Sequence, residues 1–228
     1  MNDSESVFEN KDIVNSRNIS KSRNSSKSSK IRNMVYIAMM TAVMSLLAQV
    51  SFQLPTGVPI TLQTFAVALI AAITGWKLGA ASTALYVLIG TIGVPVFAGA
   101  QAGPGVVAGP AGGFLWGFII MAALCGIGSS MCTGSKKKAD DEAGSKNAGS
   151  KNAGRAGRYI LGYVLGLVGL VICHICGMIQ FMFVADKSFV QSFILVSVPY
   201  LAKDIVSVIL AYMIGIVIHK RLKMAGLI

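Results

Sequence analysis

Six long apolar segments, separated by short polar or basic ones, constrain the fold of this chain more than any other feature of its sequence. An α-helix crosses the roughly 30 Å apolar core of a bilayer with about 20 apolar residues. Only 13% of the residues are charged, whereas a soluble domain has about 25%. The sequence therefore predicts an all-α integral membrane protein with irregular extracellular loops and six transmembrane helices, at residues 34–52, 60–76, 78–96, 113–131, 159–185 and 188–218. Pro199 is expected to break the last helix, because proline removes a backbone hydrogen bond.

The positions of the basic residues predict the orientation of these helices. Cytoplasmic loops of membrane proteins are enriched in Lys and Arg. Of the 20 Lys and Arg residues, 18 lie in the N-terminal segment, at Lys77, in the 132–158 loop or after Ile218. We therefore expect a multi-pass protein of the cell membrane with both termini in the cytoplasm. Its net charge of +11 follows from this topology, and no binding of nucleic acid is implied.

Two polar segments are predicted to lie outside the membrane. Residues 1–33 are basic and lack the apolar stretch of a signal peptide, so we expect a disordered cytoplasmic tail. The 132–158 loop contains the repeat AGSKNAGSKNAGRAG, whose composition is that of a flexible linker. The predicted membrane domain then covers 34–223, and 224–228 is a short C-terminal tail.

Two uncharged loops rich in glycine and proline, 51–65 and 93–114, fall on the predicted outer side. Irregular backbone at membrane depth is tolerated where protein buries it or where it lines a cavity. Small-molecule pockets are mostly apolar and contain a few placed polar groups. We therefore expect these loops to fold over the helices and form a pocket whose polar groups are Thr61, Gln63, Thr64 and Gln101.

Asp204 is an acidic residue inside the last apolar segment. Counting back from Ile218 places it roughly 7 Å below the outer boundary of the bilayer core. Ionisable residues at such depth usually face the protein interior and have a function, so ligand binding is predicted for Asp204. The alternative is a structural pair with Lys203 or with a neighbouring helix. Tyr200 and Ser207 share the helix face of Asp204, whereas Lys203 is expected to extend outward to the interface.

No motif indicates catalysis, a cofactor or a metal. The sequence has no P-loop for ATP, and its apolar segments contain no set of catalytic side chains. Cys173 and Cys176 have C-x-x-C spacing but no second ligand pair, so packing is expected. His174 and His219 are expected to pack or to form hydrogen bonds. The sequence therefore predicts a protein that is not an enzyme.

The segments GVPITLQTFAVALIAAITGWKLGAASTALYVLIGTIGVPVFAG (57–99) and GPAGGFLWGF (109–118) resemble the BioY family. BioY proteins are the biotin-binding S components of energy-coupling factor (ECF) transporters. The resemblance covers roughly 34–223 and implies a six-helix membrane protein that captures biotin from outside the cell. It also implies partners, namely a transmembrane T component and two ATPase subunits that drive uptake. In this family a small-xxx-small pair on the first helix contacts the T component, and this pair corresponds to Ala38 and Ala42. Packing of the two alanines within the chain is the alternative.

The resemblance further implies that Gln101 and Asp204 bind the ureido ring of biotin. A carboxamide and a carboxylate suit its two N–H donors and one carbonyl acceptor. Many family members have a lysine where this chain has Ser207, and some have an arginine where it has Leu115. Those cations would bind the carboxylate of biotin. Here Lys203 could replace them by turning inward, or the carboxylate could face the outer water.

Two other functions stay open at this point. One is an S component for a different vitamin, which the changed cation positions allow and the PITLQT and GPAGG segments disfavour. The other is a membrane enzyme or structural subunit without a role in transport, which would need more buried polar groups than the sequence contains.

Overall fold

The structure, a computed structural model, describes residues 27–133 and 148–226, and the side chains of the second range from 157 onward. Its elements in chain order are helix α1 (Lys27–Gln49), strands β1 (Ser51–Phe52) and β2 (Ile60–Thr61), helix α2 (Gln63–Ile92), a 3-10 turn (Ala98–Ala100), and helices α3 (Pro104–Ala108), α4 (Gly112–Thr133), α5 (Ala148–Ala185), α6 (Phe189–Val196) and α7 (Val198–Met224). The described residues are thus all-helical apart from one antiparallel ribbon, in which Phe52 pairs with Ile60.

Two helices extend beyond the predicted membrane spans. α1 begins at Lys27, inside the predicted tail, and α5 begins at Ala148, inside the predicted linker. Alanine, lysine and arginine are good helix formers, so a helix can continue past the apolar segment that starts it. The rest of the predicted tail and linker, 1–26 and 134–147, lies outside the described residues.

By its contacts the chain forms two units, Met1–Tyr36 and Ile37–Ile228. The described part of the first unit is the beginning of α1. The second unit contains all the other elements, and the fold and site described below belong to it.

Five of the described helices, α1, α2, α4, α5 and α7, are long and apolar enough to cross a membrane. Many of their large apolar side chains are exposed, such as Leu46, Ile160 and Met213, with exposed fractions of 71%, 64% and 56%. An apolar outer surface of this extent is compatible with lipid as the surrounding solvent.

α2 is a hairpin of two helices that folds back at Gly75. Gly75 has φ 80° and ψ 177°, values outside the helical region. The side chains of Gln63 and Tyr86 are hydrogen-bonded at 2.6 Å, whereas one straight helix would separate these residues by about 35 Å. The two arms, 63–74 and 76–92, correspond to the second and third predicted helices. The turn was predicted at Lys77, but it lies at glycine because a residue without Cβ adopts positive φ at little cost.

Close helix packing depends on small residues. A Cβ added to Gly113 of α4 would lie 2.3 Å from the carbonyl oxygen of Cys176 on α5. A Cβ added to Gly126 would lie 2.3 Å from the backbone nitrogen of Trp76. In lipid, where burial of apolar surface gives no driving force, such backbone approach supplies the packing energy between helices.

The expected break near Pro199 is confirmed. α6 ends at Val196 and α7 begins at Val198, with Pro199 in its first turn. α6 starts with a capping box in which Ser188 and Gln191 bond each other's backbone N–H. The chain therefore breaks before Pro199, and α7 is a helix of its own.

Candidate functional site

A cavity opens where the ribbon, the 93–114 loop and α7 meet. The lining is mostly apolar, and its residues are Val58, Pro59, Thr61, Gln63, Thr64, Phe97, Ala98, Gln101, Val106, Ala111, Phe114, Leu115, Phe118, Tyr200, Lys203 and Asp204.

The 93–114 loop forms one wall of this cavity, as its composition predicted. Its anchor is Phe97, which is 1% exposed and packs edge-on against Tyr86 with ring centroids 5.5 Å apart. Gly90 makes room for that ring, because a Cβ at this position would lie 2.2 Å from it. The side chain of Gln49 adds two kinds of contact, donating to the Val96 carbonyl at 3.1 Å and accepting from the backbone N–H of Ala100 at 2.9 Å.

Gln180 of α5 fastens the far end of the same loop. Its Nε2 donates to the carbonyl oxygens of Val107 at 2.7 Å and Gly109 at 2.8 Å. No role was predicted for Gln180 from the sequence. The available signal was a polar side chain in an otherwise apolar span, because such side chains usually face the protein interior.

Gln63 and Thr61 belong to a network that joins the ribbon to both arms of α2. Thr61 Oγ1 donates to Gln63 Oε1 at 3.1 Å, and Gln63 Nε2 donates to the Tyr86 hydroxyl at 2.6 Å. That hydroxyl donates in turn to the Val96 carbonyl at 3.1 Å. Both predicted site residues line the cavity, but two of the four hydrogen-bonding positions of the Gln63 amide are used within the protein.

Lys203 and Asp204 form an ion pair at the cavity, in which the Asp204 carboxylate is buried and the Lys203 side chain is 29% exposed. Lys203 Nζ lies 2.5 Å from Asp204 Oδ1 and donates to the Thr61 carbonyl at 2.6 Å. Of the two directions considered for Lys203, outward to the interface or inward to the site, its ammonium takes the inward one. The carboxylate and the Thr61 carbonyl offer its ammonium two partners beside the cavity, and a buried carboxylate without its cation would be strongly destabilising. Asp204 is both a pair partner of Lys203 and a lining residue, which combines the two alternatives for this residue.

His174 of α5 is the second partner of the carboxylate. Its Nε2 lies 3.2 Å from Asp204 Oδ2, and its ring packs edge-on against Phe114 with centroids 5.7 Å apart. The residue is 6% exposed and does not line the cavity. The expectation of a packing and hydrogen-bonding role is confirmed, although the sequence did not indicate that the partner is Asp204.

The remaining predicted site residues lie in different surroundings. Tyr200 lines the cavity and donates its hydroxyl to the Val58 carbonyl at 2.5 Å. Gln101 lines the cavity from the exposed side of the loop. Ser207 is buried but is not a lining residue, because it lies one helical turn beyond Asp204. Leu115 lines the cavity and is apolar, so Lys203 is the one cation among the lining residues of the described chain.

Ala38 and Ala42 lie on an exposed face of α1. The opposite face packs inward through Thr41, whose hydroxyl donates to the Ser82 carbonyl at 3.0 Å, and through Met44, which is fully buried. The alternative in which the two alanines pack within the chain is therefore wrong for this structure.

Among the described residues, no group of three or more His, Cys, Asp or Glu side chains could hold a metal ion. The cysteines are free, and Cys125 and Cys173 are buried in the helix core. The Lys203–Asp204–His174 cluster is therefore the main charged feature of the site.

Comparison with known proteins gives consistent matches. Residues 20–224 match the model of the BioY family. The probable biotin transporter BioY of Pyrococcus horikoshii is 30% identical over 187 residues, which are 82% of this chain and 95% of that protein. The biotin transporter BioY of Thermotoga maritima is 42% identical over 97 residues. These residues are 42% of this chain and 56% of that relative, so the match spans about half of the relative's length. A crystal structure of the S-component for biotin from an ECF-type ABC transporter has a TM-score of 0.65 at 22% identity, over 85% of this chain and 93% of the other. At 22% identity, the similarity to this crystal structure shows a shared fold.

Proposed function

The chain belongs to the BioY family, and from this membership we propose that it is the S component that captures biotin for an ECF transporter. In this role it is a binding protein for transport and not an enzyme. The observation that carries the proposal is the Lys203–Asp204 pair on the wall of a mostly apolar cavity.

This pair suits a cyclic urea. The ureido ring of biotin presents an N–H donor beside a carbonyl acceptor. Asp204 Oδ1 is buried and, although close to the ammonium, has no hydrogen bond of good geometry, so it can accept the ligand N–H. Lys203 donates one of its three N–H groups to the Thr61 carbonyl and forms an ion pair with Asp204, so a further N–H group can donate to the ureido carbonyl. Charge-assisted hydrogen bonds of this kind are about twice as strong as neutral ones.

The opposite end of biotin is a carboxylate on an aliphatic chain. Apolar lining residues such as Phe97, Phe118 and Leu115 provide a surface for the chain and for the thioether ring. Because Lys203 is used at the ureido end, we propose that the carboxylate points to the mouth of the cavity and to water. The exposed Gln101 was paired with the ureido ring on the basis of the family resemblance, but its exposure favours a contact near the carboxylate.

We further propose six membrane crossings with both termini in the cytoplasm. α1, the two arms of α2, α4, α5 and α7 would each cross once. Support comes from the end of the bundle opposite the cavity, where His219 Nδ1 lies 2.6 Å from the Ile73 carbonyl and Lys220 donates to the Tyr159 hydroxyl at 3.0 Å. Basic residues including Lys77 lie in these segments, as expected for the cytoplasmic side. The cavity would then face outward.

The proposed partners are a transmembrane T component and two ATPase subunits. The sequence has no P-loop, so the energy for uptake would come from other chains. The exposed Ala38 and Ala42 on α1 fit close contact with another membrane helix.

Ligand binding by the purified protein in detergent tests this function. Biotin and desthiobiotin, which both contain the ureido ring, should raise the unfolding temperature, and thiamin should not. Ligand at 100 times its Kd adds about 2.7 kcal/mol to stability. Asp204→Asn should weaken biotin binding roughly 10- to 100-fold while the protein still folds. Asp186→Asn is the matched control, because Asp186 is exposed in the turn after α5. A shift with thiamin alone would instead support an S component for another vitamin.

A further inference from the structure

We propose that His174 is a positioning residue, which holds the Asp204 carboxylate in the orientation that binds the ureido ring. The inference rests on the proposed function for its ligand, but it adds a residue that lies outside the cavity. His174 acts through Asp204 and does not touch the ligand.

Lys203 and His174 approach different carboxylate oxygens of Asp204, and the Thr64 side chain also interacts with this carboxylate. Lys203 Nζ approaches Oδ1 to 2.5 Å, and His174 Nε2 approaches Oδ2 to 3.2 Å. Rotation about the bond to a carboxylate group is soft, since torsions at sp² carbons have broad minima. Two partners on opposite oxygens restrict this rotation. His174 therefore occupies Oδ2 and leaves Oδ1, the oxygen next to Lys203, without a hydrogen-bond partner among the described residues.

The imidazole ring is itself held in place. It is buried at 6% exposure and meets the Phe114 ring edge-on at an angle of 88°. Phe114 also lines the cavity, so the packing of His174 is continuous with the ligand site. A hydrogen-bond donor on a packed helix, fixed by an aromatic neighbour, can hold a ligand-binding group in the geometry that binding requires.

The tautomer follows from the partners of the two ring nitrogens. Nδ1 is buried and has no hydrogen-bond partner among the described residues. A proton on Nδ1 would leave a buried N–H unpaired, at a cost of about 1–3 kcal/mol. The proton therefore belongs on Nε2, which donates to Oδ2. In this arrangement the Nε2–H of His174 and the ammonium of Lys203 approach different oxygens of the Asp204 carboxylate.

Substitutions of His174 distinguish a positioning role from simple space filling. The amide nitrogen of a glutamine can occupy about the position of Nε2, whereas an asparagine is too short to reach it. His174→Gln should therefore bind biotin within about threefold of the wild type, and His174→Asn and His174→Leu should weaken binding roughly 10- to 100-fold. His219→Leu is the matched control, since that histidine bonds the Ile73 carbonyl at the other end of the bundle and should leave biotin affinity unchanged.

A double-mutant cycle provides the decisive reading. If His174 acts through Asp204, His174→Asn should cost less than about twofold in affinity once Asp204 has been changed to Ala. The same cycle, measured as the unfolding temperature of the ligand-free protein, tests the His174–Asp204 contact without biotin. If the wild type does not bind biotin, the proposed function is refuted, but this second cycle still tests the contact between the two residues. Equal biotin affinity for the Gln and Asn variants, or additive costs in either cycle, would overturn the positioning role.

Discussion

The 93–114 loop forms one wall of the cavity, so we expect it to open when biotin leaves, and replacing Gln180 with methionine should then speed the release of biotin. Gln180 makes two hydrogen bonds, to the carbonyls of Val107 and Gly109, and methionine keeps its length but cannot donate. A typical hydrogen bond contributes about 0.5–1.5 kcal/mol net, so the loop would lose about 1–3 kcal/mol of closure energy. Both bonds are only partly buried, and water can replace part of the loss. We therefore expect the release rate to rise roughly 5- to 30-fold, which corresponds to the lower half of that range.

Release can be followed by loading the purified protein with labelled biotin and chasing with an excess of unlabelled ligand. Ile179→Met is the matched control, because Ile179 precedes Gln180 and is 47% exposed on the outer surface of the helix. The reasoning predicts a faster chase for Gln180→Met alone. An unchanged release rate in that variant would refute the idea that the loop opens when biotin leaves.

The proposed orientation of biotin predicts that its methyl ester binds within about fivefold of biotin in a competition assay, because a water-exposed charge contributes little; a far weaker ester would place the carboxylate on a buried cation. Gly90→Ala would put a methyl group 2.2 Å from the Phe97 ring, so it should destabilise the protein by about 1–3 kcal/mol and lower its unfolding temperature. Gly105→Ala is its control, since no atom lies within 4 Å there, and equal losses would contradict the packing argument. Ala42→Trp should leave biotin binding intact but prevent copurification with the T component. Val43→Trp, on another exposed part of α1, should copurify normally, and an unimpaired Ala42→Trp complex would count against this interface.

The membrane helices could be predicted because each requires a long run of apolar residues. Their ends were less accurate, since α1 begins at Lys27 and α5 at Ala148. Hydropathy detects the part of a helix that suits lipid, and the continuation into water depends on helix propensity and tertiary contacts. The hairpin turn lies at Gly75 and not at the predicted Lys77, because backbone conformation, and not charge, determines where the chain can reverse.

The site was predicted in part. Asp204 was identifiable because a single acid in an apolar helix has few roles. The direction of the Lys203 side chain was not predictable, because it depends on the Thr61 carbonyl, which lies 142 residues earlier in the chain. Sequence distance of this kind carries no information about which backbone atom will be within reach.

Gln180, and the role of His174 at the site, were not predicted for a different reason. A helix in lipid is apolar toward both the bilayer and the protein, so its hydrophobic pattern does not indicate its rotation. Each residue is polar within an apolar span, and this is the signal that would have identified both. Their particular partners, a carboxylate on α7 and a loop backbone, could be assigned only from the structure.

A crystal structure of the protein with biotin would test the central claim most directly. The account predicts a ureido nitrogen about 3 Å from a carboxylate oxygen of Asp204, with Lys203 beside the ureido carbonyl and the biotin carboxylate at the mouth of the cavity. Biotin bound outside this cavity, or bound with its carboxylate against Lys203, would contradict it.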